Sequence, residues 1–560
     1  LNEASENLVN QLELIVEITV PTGPDTPSGL IRASDRNKYV GNKFYEARLV
    51  FPVIYRTMGD WLSNVLEFST IDIEINNVDG KYNSILPAGD NYDGFIGNSV
   101  RVAIGLRDVE STYTDIFTGR ITAEGGFKRT TNSIIFTARN DFESINTNFP
   151  ATVLKKSVFP DLEPDIENTI LPEIYGDWTV DIDARGASVP AYVLNGANDD
   201  VNGTVGFTEK IRLTISANDN TLFDTANVYV VRGDQFYKFD VADVVDVSVD
   251  NREFYLRQSG TSPAGTTQVD GANYEYASGD VFYVRVKGKD LGAYSDNAVW
   301  IARDLLLTHS SLLPGDFDTS WDFFRDKNSP AQSNIAGIKC RVWVQEPQPL
   351  LEFVLSILEQ VRLEAYVNRD QVWVMTSLHF EDFVAAPTFE IKNWDIEKGS
   401  FKPEIDDRNN FNRALGDYNF LPNLNENNNS TKIYKNDAAI IQVGKEISKK
   451  VVFPNLYKEA DVVYQLTEIL RLASSYLEKL QFNMTWRGML LDLGGFVNVN
   501  VKIQGTQYND VPAMIRSIGY DPAGIKIPVE LWSMQMVNFP GYEPGFSGIT
   551  GGYAATITEE

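Results

Sequence analysis

The sequence predicts a mainly β fold with α+β parts: two small closed-sheet modules, a β-rich domain inserted between them, and a compact α+β domain. Three observations carry this. Residues 68–139 hold several short runs in which every second residue is apolar. The same alternation returns between 482 and 531. Between the two lie stretches whose apolar residues recur at helical spacing instead.

Side chains on a strand alternate faces, so a period of two gives one apolar face and one wet face. Ile71, Ile73 and Ile75 alternate with Thr70, Asp72, Glu74 and Asn76. Val100, Val102, Ile104 and Leu106 repeat the pattern. Ile116, Thr118 and Arg120 with their neighbours, and then 133–139, do so less cleanly. Turn formers separate the runs: Asn76-Asn77-Val78-Asp79-Gly80, Pro87-Ala88-Gly89-Asp90 and Glu124-Gly125-Gly126. Four or five such strands make a barrel or sandwich, not a βαβ unit. Upstream, Leu12, Leu14, Val16, Ile18 and Val20 alternate with Glu13, Glu17 and Thr19, and Ile15 breaks the polar side. Residues 21–42 read as a long loop and 44–54 as the next strand. The first module spans 1–148.

Residues 150–185 contain Pro160, Pro164 and Pro172, little periodicity, and the stretch Leu171-Pro172-Glu173-Ile174-Tyr175-Gly176-Asp177-Trp178. A β-rich block follows, with strands expected at 191–194, 210–217, 228–232, 253–257 and 281–286. We assign 149–292 to an inserted peripheral domain. Val299, Ala302, Leu305, Leu306 and His309 then place a helix over 296–313, which Pro314-Gly315 stops. After Pro347 and Pro349, Leu351, Val354, Leu355, Leu358 and Val361 form an amphipathic stripe. Proline is tolerated in a first helical turn, which supports that start. A hairpin at 365–375 turns on Asn368-Arg369-Asp370, completing an α+β domain over 293–393.

Residues 394–537 form the second module. The stretch 406–420 is polar and Asn-rich, and 423–431 is low in complexity and reads as a flexible loop. Val462, Leu466, Ile469, Ala473, Tyr476, Leu477 and Leu480 predict the longest helix, over 458–480. Alternation then resumes in Phe482, Met484 and Trp486, in Val497, Val499 and Val501, and in Ile525, Ile527, Val529 and Leu531. Asp521-Pro522-Ala523-Gly524 is a hairpin loop. Residues 538–560, rich in Gly and Tyr, form an extended tail that is either loose or laid on a partner.

A chain of 560 residues exceeds one core. Hydrophobic content of 43% suffices for packed cores and excludes a disordered chain. No run of about 18 apolar residues exists, so no membrane-spanning helix is expected. The first residues lack the basic-then-apolar pattern of a signal peptide. A single cysteine, Cys340, excludes an internal disulfide and an all-cysteine metal site. The net charge of -28 argues against nucleic-acid binding by a basic face. It fits either plain solubility or a surface that repels DNA, such as a conduit wall.

The search for chemistry mostly returns ordinary residues. His309, followed by Ser310 and Ser311, reads as a helix-end histidine, because adjacency in sequence is not triad geometry. His379 has only Glu381 and Asp382 nearby as metal-ligand company, and Cys340 reads as a small buried hydrophobe. Gly89-Asp90-Asn91-Tyr92-Asp93-Gly94 offers hard oxygens to calcium but lacks EF-hand spacing and a closing Glu, so a solvated turn is favoured. Asp406-Asp407 would suit glycosidase chemistry only if geometry opposed two carboxylates. No Walker, dinucleotide or zincin motif occurs. No catalytic, cofactor-binding or metal-binding residue is assigned.

Several segments resemble those of phage tail-tip and baseplate hub proteins. Ile116-Phe117-Thr118-Gly119-Arg120-Ile121 with Ser133-Ile134-Ile135-Phe136-Thr137-Ala138-Arg139 is similar to a strand pair of their first barrel. The stretch from Leu171 to Trp178 resembles a short proline-glycine motif of tail-tip proteins. Residues 300–313 and 350–375 resemble their helix and helix-hairpin domain. Residues 458–531, with Leu491-Asp492-Leu493-Gly494-Gly495, are similar to their second barrel. Together these cover about half the chain, and their order is more specific than any one motif.

The resemblance implies two tail-tube-like β-barrel modules per chain and a homotrimer. That gives a pseudo-sixfold ring at the tail tip of the virion, matched to a hexameric tube. It implies contacts with the tail tube or distal tail protein, the tape-measure protein and a fibre or receptor-binding protein. DNA would pass through the lumen without specific binding, and no catalysis is implied. Some tail-tip hubs carry a cysteine-ligated iron–sulfur cluster, which one cysteine cannot hold. The competing reading is a β-rich glycan-binding or glycan-hydrolysing protein, which the aromatic content and Asp-rich loops permit.

Overall fold

The computed structural model describes residues 12–23, 26, 28–50, 54–58, 70–85, 94–106, 113–122, 126–140, 145, 147–160, 162, 164–180, 189–195, 210–217, 221–232, 235–239, 244–245, 253–257, 280–326, 337–368, 372–379, 389–406, 410–422, 424–474, 477–503, 506–521, 526–533 and 557–559. The fold is mainly β, with several sheets and few helices.

The alternation in the first 140 residues becomes one run of strands. Leu30–Ser34, Leu12–Thr19, Ser99–Leu106, Thr114–Ile121, Ser133–Asn140 and Thr70–Asn76 are neighbours in that order. Val16 lies opposite Val102, and Ile73 opposite Phe136, so the apolar faces share one side. The stretch 44–54, expected as a single strand, is split. Lys43–Ala47 runs parallel to Leu30–Ser34, and Leu49–Val50 runs antiparallel to Thr70–Asn76. Between them, Arg48 N donates to Ser34 O at 3.1 Å and Arg48 O accepts from Asn76 N at 2.8 Å. One segment therefore bonds both ends of the run and closes the sheet. Alternation cannot reveal this, because a change of partner leaves the side-chain period intact.

Residues 21–42 are not all loop. Leu30–Ser34 and Lys38–Val40 are strands too short for alternation to stand out above the turn formers around them. The hairpin of Lys38–Val40 and Lys43–Ala47 also explains the exception at Ile15. Ile15 points away from the main core, yet it is buried with Tyr45 and Ala103 in a small separate cluster.

The second closed sheet repeats the sealing device. Phe496–Ile503, Thr506–Tyr520, Ile527–Ser533 and Leu477–Met484 are consecutive neighbours. Phe389–Lys392 runs parallel to Phe496–Ile503. The same segment then bridges Ile396 to Met484, and its continuation, Lys402–Asp406, runs antiparallel to Leu477–Met484. The helix expected over 458–480 ends at Ala473, and Leu477–Met484 is a strand. Leu480 satisfies both periods; pairing with Ile527–Ser533 settles the conflict in favour of the sheet.

The two closed sheets are one body. Ile54–Thr57, from the first module, pairs antiparallel with Ser517–Tyr520 of the second. A single hydrophobic cluster runs from Val16, Ile73 and Phe136 to Phe482, Val499 and Leu531.

The described helices are α1 (Ala298–His309), α2 (Thr319–Asp326), α3 (Leu350–Gln360), α4 (Asp437–Val443) and α5 (Glu459–Ala473). A second core holds four of these five, all but α4. The hairpin of Leu363–Val367 and Trp373–Ser377 joins them. Leu305, Trp321, Val354, Leu466 and Leu470 share this core, so α5 lies with α1 and α3 rather than inside the second closed sheet. A further sheet, built on Arg413–Leu421, flanks it. The flexible loop expected at 423–431 contains the edge strand Glu426–Ser430. It is polar on both faces, so no hydrophobic pattern marks it. Side chains hold it instead: Asn419 Nδ2 donates to Asn429 Oδ1 at 2.9 Å, and Ser430 Oγ to Asp417 Oδ1 at 2.7 Å.

The inserted block forms a seven-stranded sheet running from Gln235–Lys238 through Thr221–Arg232, Val281–Lys289, Val189–Asn195, Lys210–Thr214 and Glu253–Arg257 to Val244–Val245. Phe254, Phe282 and Val284 form its own core, with Ile174 and Trp178 reaching in from outside the sheet.

Candidate functional site

Two stretches singled out by sequence lie where sheets and helices of different cores meet. The first is Leu491-Asp492-Leu493-Gly494-Gly495. Asp492 receives Arg56 Nη1 at 2.8 Å, while Arg56 Nη2 donates to Val367 O at 2.7 Å. Arg56 thus joins a strand of the first module, a turn of the second and the hairpin of the helical core. Gly494 has φ of +66°, and a Cβ there would sit 2.5 Å from the Tyr366 ring. Only glycine meets both demands. Thr376 Oγ1 donates to Gly494 O at 3.3 Å. Burial pushes the Tyr366 phenol up, and the Asp492 charge adds to the effect.

Beside this turn, Arg516 projects from Thr506–Tyr520 toward the hairpin. Its guanidinium meets both Glu364 carboxylate oxygens, at 2.5 and 3.0 Å, and lies 4.5 Å from the Trp532 ring. Arg516 is 1% exposed. Arg362 is equally buried; burial pulls its guanidinium down to about 10, against the charges of Glu359, Glu468 and Glu364.

The second stretch is Leu171 to Trp178. Glu173–Tyr175 pairs antiparallel with Val342–Val344. Trp178 Nε1 donates to Tyr175 O at 2.9 Å, and the Arg341 guanidinium lies between the rings of Trp178 (4.4 Å) and Tyr457 (4.8 Å). Gly176, at φ +79°, runs so close to Cys340 and Arg341 that a side chain would strike their backbone. This is the anchor of the inserted sheet on the helical core.

Of the remaining sequence candidates, His309, Ser310, His379, Cys340 and Asp406 fall on described residues. His309 Nε2 lies 2.9 Å from Glu173 Oε1, and its ring 5.4 Å from Phe149. Ser310 Oγ donates back to Leu306 O at 2.5 Å, so that hydroxyl is engaged with the helix end. Around the same anchor, Tyr175 OH donates to Asp304 Oδ2 at 2.9 Å and Lys289 Nζ to the same oxygen at 2.7 Å. His379 is buried, with Nδ1 2.9 Å from Ser377 Oγ and its ring stacked on Tyr464. Glu381 and Asp382 lie outside the described residues. Cys340 is buried, and burial pushes its thiol up, away from reactivity. Gly89 to Asp93 and Asp407 lie outside the described residues, and Asp406 closes the strand Lys402–Asp406. Among the described residues, no group of three or more His, Cys, Asp or Glu is placed to hold a metal ion. No described helix is long and apolar enough to cross a membrane.

Arg56, Glu364 and Arg516 were not picked out by sequence reading. The signal was present: each is a single charge inside an apolar strand, as in Met514-Ile515-Arg516-Ser517-Ile518. A charge in such a place calls for a buried partner.

No protein-family model matches the chain, and no curated protein matches it by sequence. Among solved structures it is similar to a tail protein from Neisseria meningitidis MC58, at 10% identity and a TM-score of 0.41, over 93% of this chain and 96% of that one. It is also similar to the 43 kDa tail protein of prophage MuSo2 from Shewanella oneidensis, at 10% identity and a TM-score of 0.39, over 93% and 98%. A third is a chain of a native gene transfer agent virion, at 12% identity and a TM-score of 0.33, over 71% and 91%.

Proposed function

We propose that this chain is a structural protein of a phage tail: a homotrimeric hub at the tail tip or baseplate that closes or extends the tail tube. In that place it joins the tube or distal tail protein to tape-measure and fibre proteins, and DNA passes through its lumen unbound. The observation that carries this reading is the repeated sealing device. Two sheets in one chain are each closed by a split segment, parallel to one end strand and antiparallel to the other, around one shared core. Closure leaves each main run without an open edge, so such units meet others by side-chain faces. Two units per chain and three chains supply six such faces, the number a hexameric tube presents.

The junction chemistry supports the same reading. Buried ion pairs and glycine contacts fix the modules against one another, which suits a ring subunit carrying load between neighbours. The net charge of -28 suits a wall along which DNA slides. Mass photometry with cryo-electron microscopy of the purified protein tests the proposal. A threefold ring with a central channel is the expected result. A monomer would overturn it, and a monomer that binds or cleaves host polysaccharide would favour the glycan reading.

A further inference from the structure

Ile557–Glu559 is a short strand laid on the edge of the sheet built on Arg413–Leu421. It pairs antiparallel with Tyr434–Asn436, with Tyr434 opposite Glu559, Lys435 opposite Thr558 and Asn436 opposite Ile557. Its side chains have specific seats. Thr558 Oγ1 donates to Asp437 Oδ2 at 2.9 Å, at the start of α4. Glu559 pairs with Lys432. Ile557 is partly buried against the helical core beside Tyr434. Without this strand, Tyr434–Asn436 would be a bare edge. The edge is therefore an acceptor site for an extended segment, and the segment it takes belongs to this chain.

We propose that the strand is exchanged between copies: Ile557–Glu559 of one copy occupies the Tyr434–Asn436 edge of its neighbour in the assembled ring. This rests on the oligomeric reading above, since exchange needs copies side by side. Three observations favour it. The strand makes few contacts, is buried at no position, and so can leave its own sheet readily. Residues 534–556 lead to it from Ser533, at the end of the second closed sheet. A link of that length reaches up to about 75 Å, enough to serve a neighbouring sheet as well as its own. Finally, exchange loses no interaction, because the same residues pair in either arrangement. Passed head to tail, three such strands close after one turn and tie the ring together.

The test is a pair of cysteines at a cross-strand position, K435C with T558C, in the full chain. Directly opposed cross-strand Cβ atoms approach to about 4.5 Å at their closest, the upper end of the disulfide range, so a small strand adjustment closes the bond. The sole native cysteine, Cys340, is buried and does not compete. After mild oxidation, a non-reducing gel is read beside mass photometry of the same sample. Covalent dimers and trimers, absent from each single-cysteine control, are expected. A monomer band carrying the internal crosslink, in a sample that mass photometry shows to be trimeric, overturns the exchange and leaves the hub reading standing. A sample that is monomeric by mass photometry overturns both. Absence of any disulfide, in this pair and in Y434C with E559C, overturns the seating of the strand and the exchange with it.

Discussion

Replacing Glu364 with Ala should loosen the joint between the second closed sheet and the hairpin at 363–377. The deletion strips Arg516, 1% exposed, of both its carboxylate contacts. Breaking one side of a buried ion pair costs about 3–5 kcal/mol. The Trp532 face, 4.5 Å away, still receives the cation and offsets about 0.5–2 kcal/mol of that. Arg362 acts in the other direction, since Glu364 is one of the charges that support its buried guanidinium. The net expectation is about 3 kcal/mol, somewhat over a hundredfold in the local opening constant. A chain with several cores does not unfold in one step, so the measurement is hydrogen exchange of the hairpin amides. The double variant E364L/R516M should recover most of the loss, because apolar replacement of a whole buried pair is close to neutral. Exchange within about fivefold of wild type for E364A would refute the reasoning. So would a double variant as loose as the single.

Three further outcomes follow from the same geometry. Gly494→Ala should destabilise the Arg56 junction by about 2 kcal/mol or more, from left-handed backbone strain and contact with Tyr366, and adding Tyr366→Ala should relieve part of it, read as hydrogen exchange of the amides at 491–495. Asp395→Ala should open the segment that seals the second sheet, because fully buried Asp395 accepts Lys392 N at 2.9 Å and Arg487 Nη1 at 2.8 Å; loss of about 2 kcal/mol should appear as faster exchange at 389–397. Burial alone would raise Glu17, but hydrogen bonds from Tyr45, Lys43 and Arg32 hold it below the ordinary 4.5. The unfolded chain then binds more protons between the two values, so this contribution is complete above about pH 4.5 and is lost as pH falls through the folded value. The hairpin of Lys38–Val40 and Lys43–Ala47 should exchange faster below that point, and Glu17→Gln should reduce the dependence, leaving the part due to Glu46, which, against the pull of burial, Lys81 and Arg48 also hold down.

What the sequence disclosed was whatever rests on side-chain period. The strands at 70–76, 99–106, 189–195, 253–257 and 281–289 and the stripes of α1 and α3 are legible because one face is buried along the whole element. What it hid was choice of partner. Residues 44–54 read as one strand, yet the chain from Lys43 to Thr57 serves three different sheet edges in turn. Leu480 fits a helix face and a sheet face equally well, and only its pairing with Leu531 decides. Glu426–Ser430 is held by backbone pairing and an Asn ladder, which leave no hydrophobic trace. The junctions were half legible: Leu171 to Trp178 and Leu491 to Gly495 stood out by their glycines and prolines, while the arginines that clamp them looked like ordinary surface charge.

The distribution of open edges bears on how copies would associate. The two sealed sheets offer no long bare edge in their main runs; the strand appended to the first, Lys38–Val40, is three residues long and carries a lysine paired with Glu13. Short, charged edges of this kind resist strand addition. The sheet built on Arg413–Leu421 is different. Ser448–Phe453 lies along one side of Arg413–Leu421; Glu426–Ser430 and Tyr434–Asn436 lie along the other, and Tyr434–Asn436 is covered by Ile557–Glu559. The Tyr434–Asn436 margin is thus already fitted for a segment of this sequence. Association through side-chain faces in the sealed sheets and through backbone pairing at the Tyr434–Asn436 margin divides the work in a physically coherent way. The faces set geometry, and the exchanged strand would tie neighbours together while adding little to their specificity.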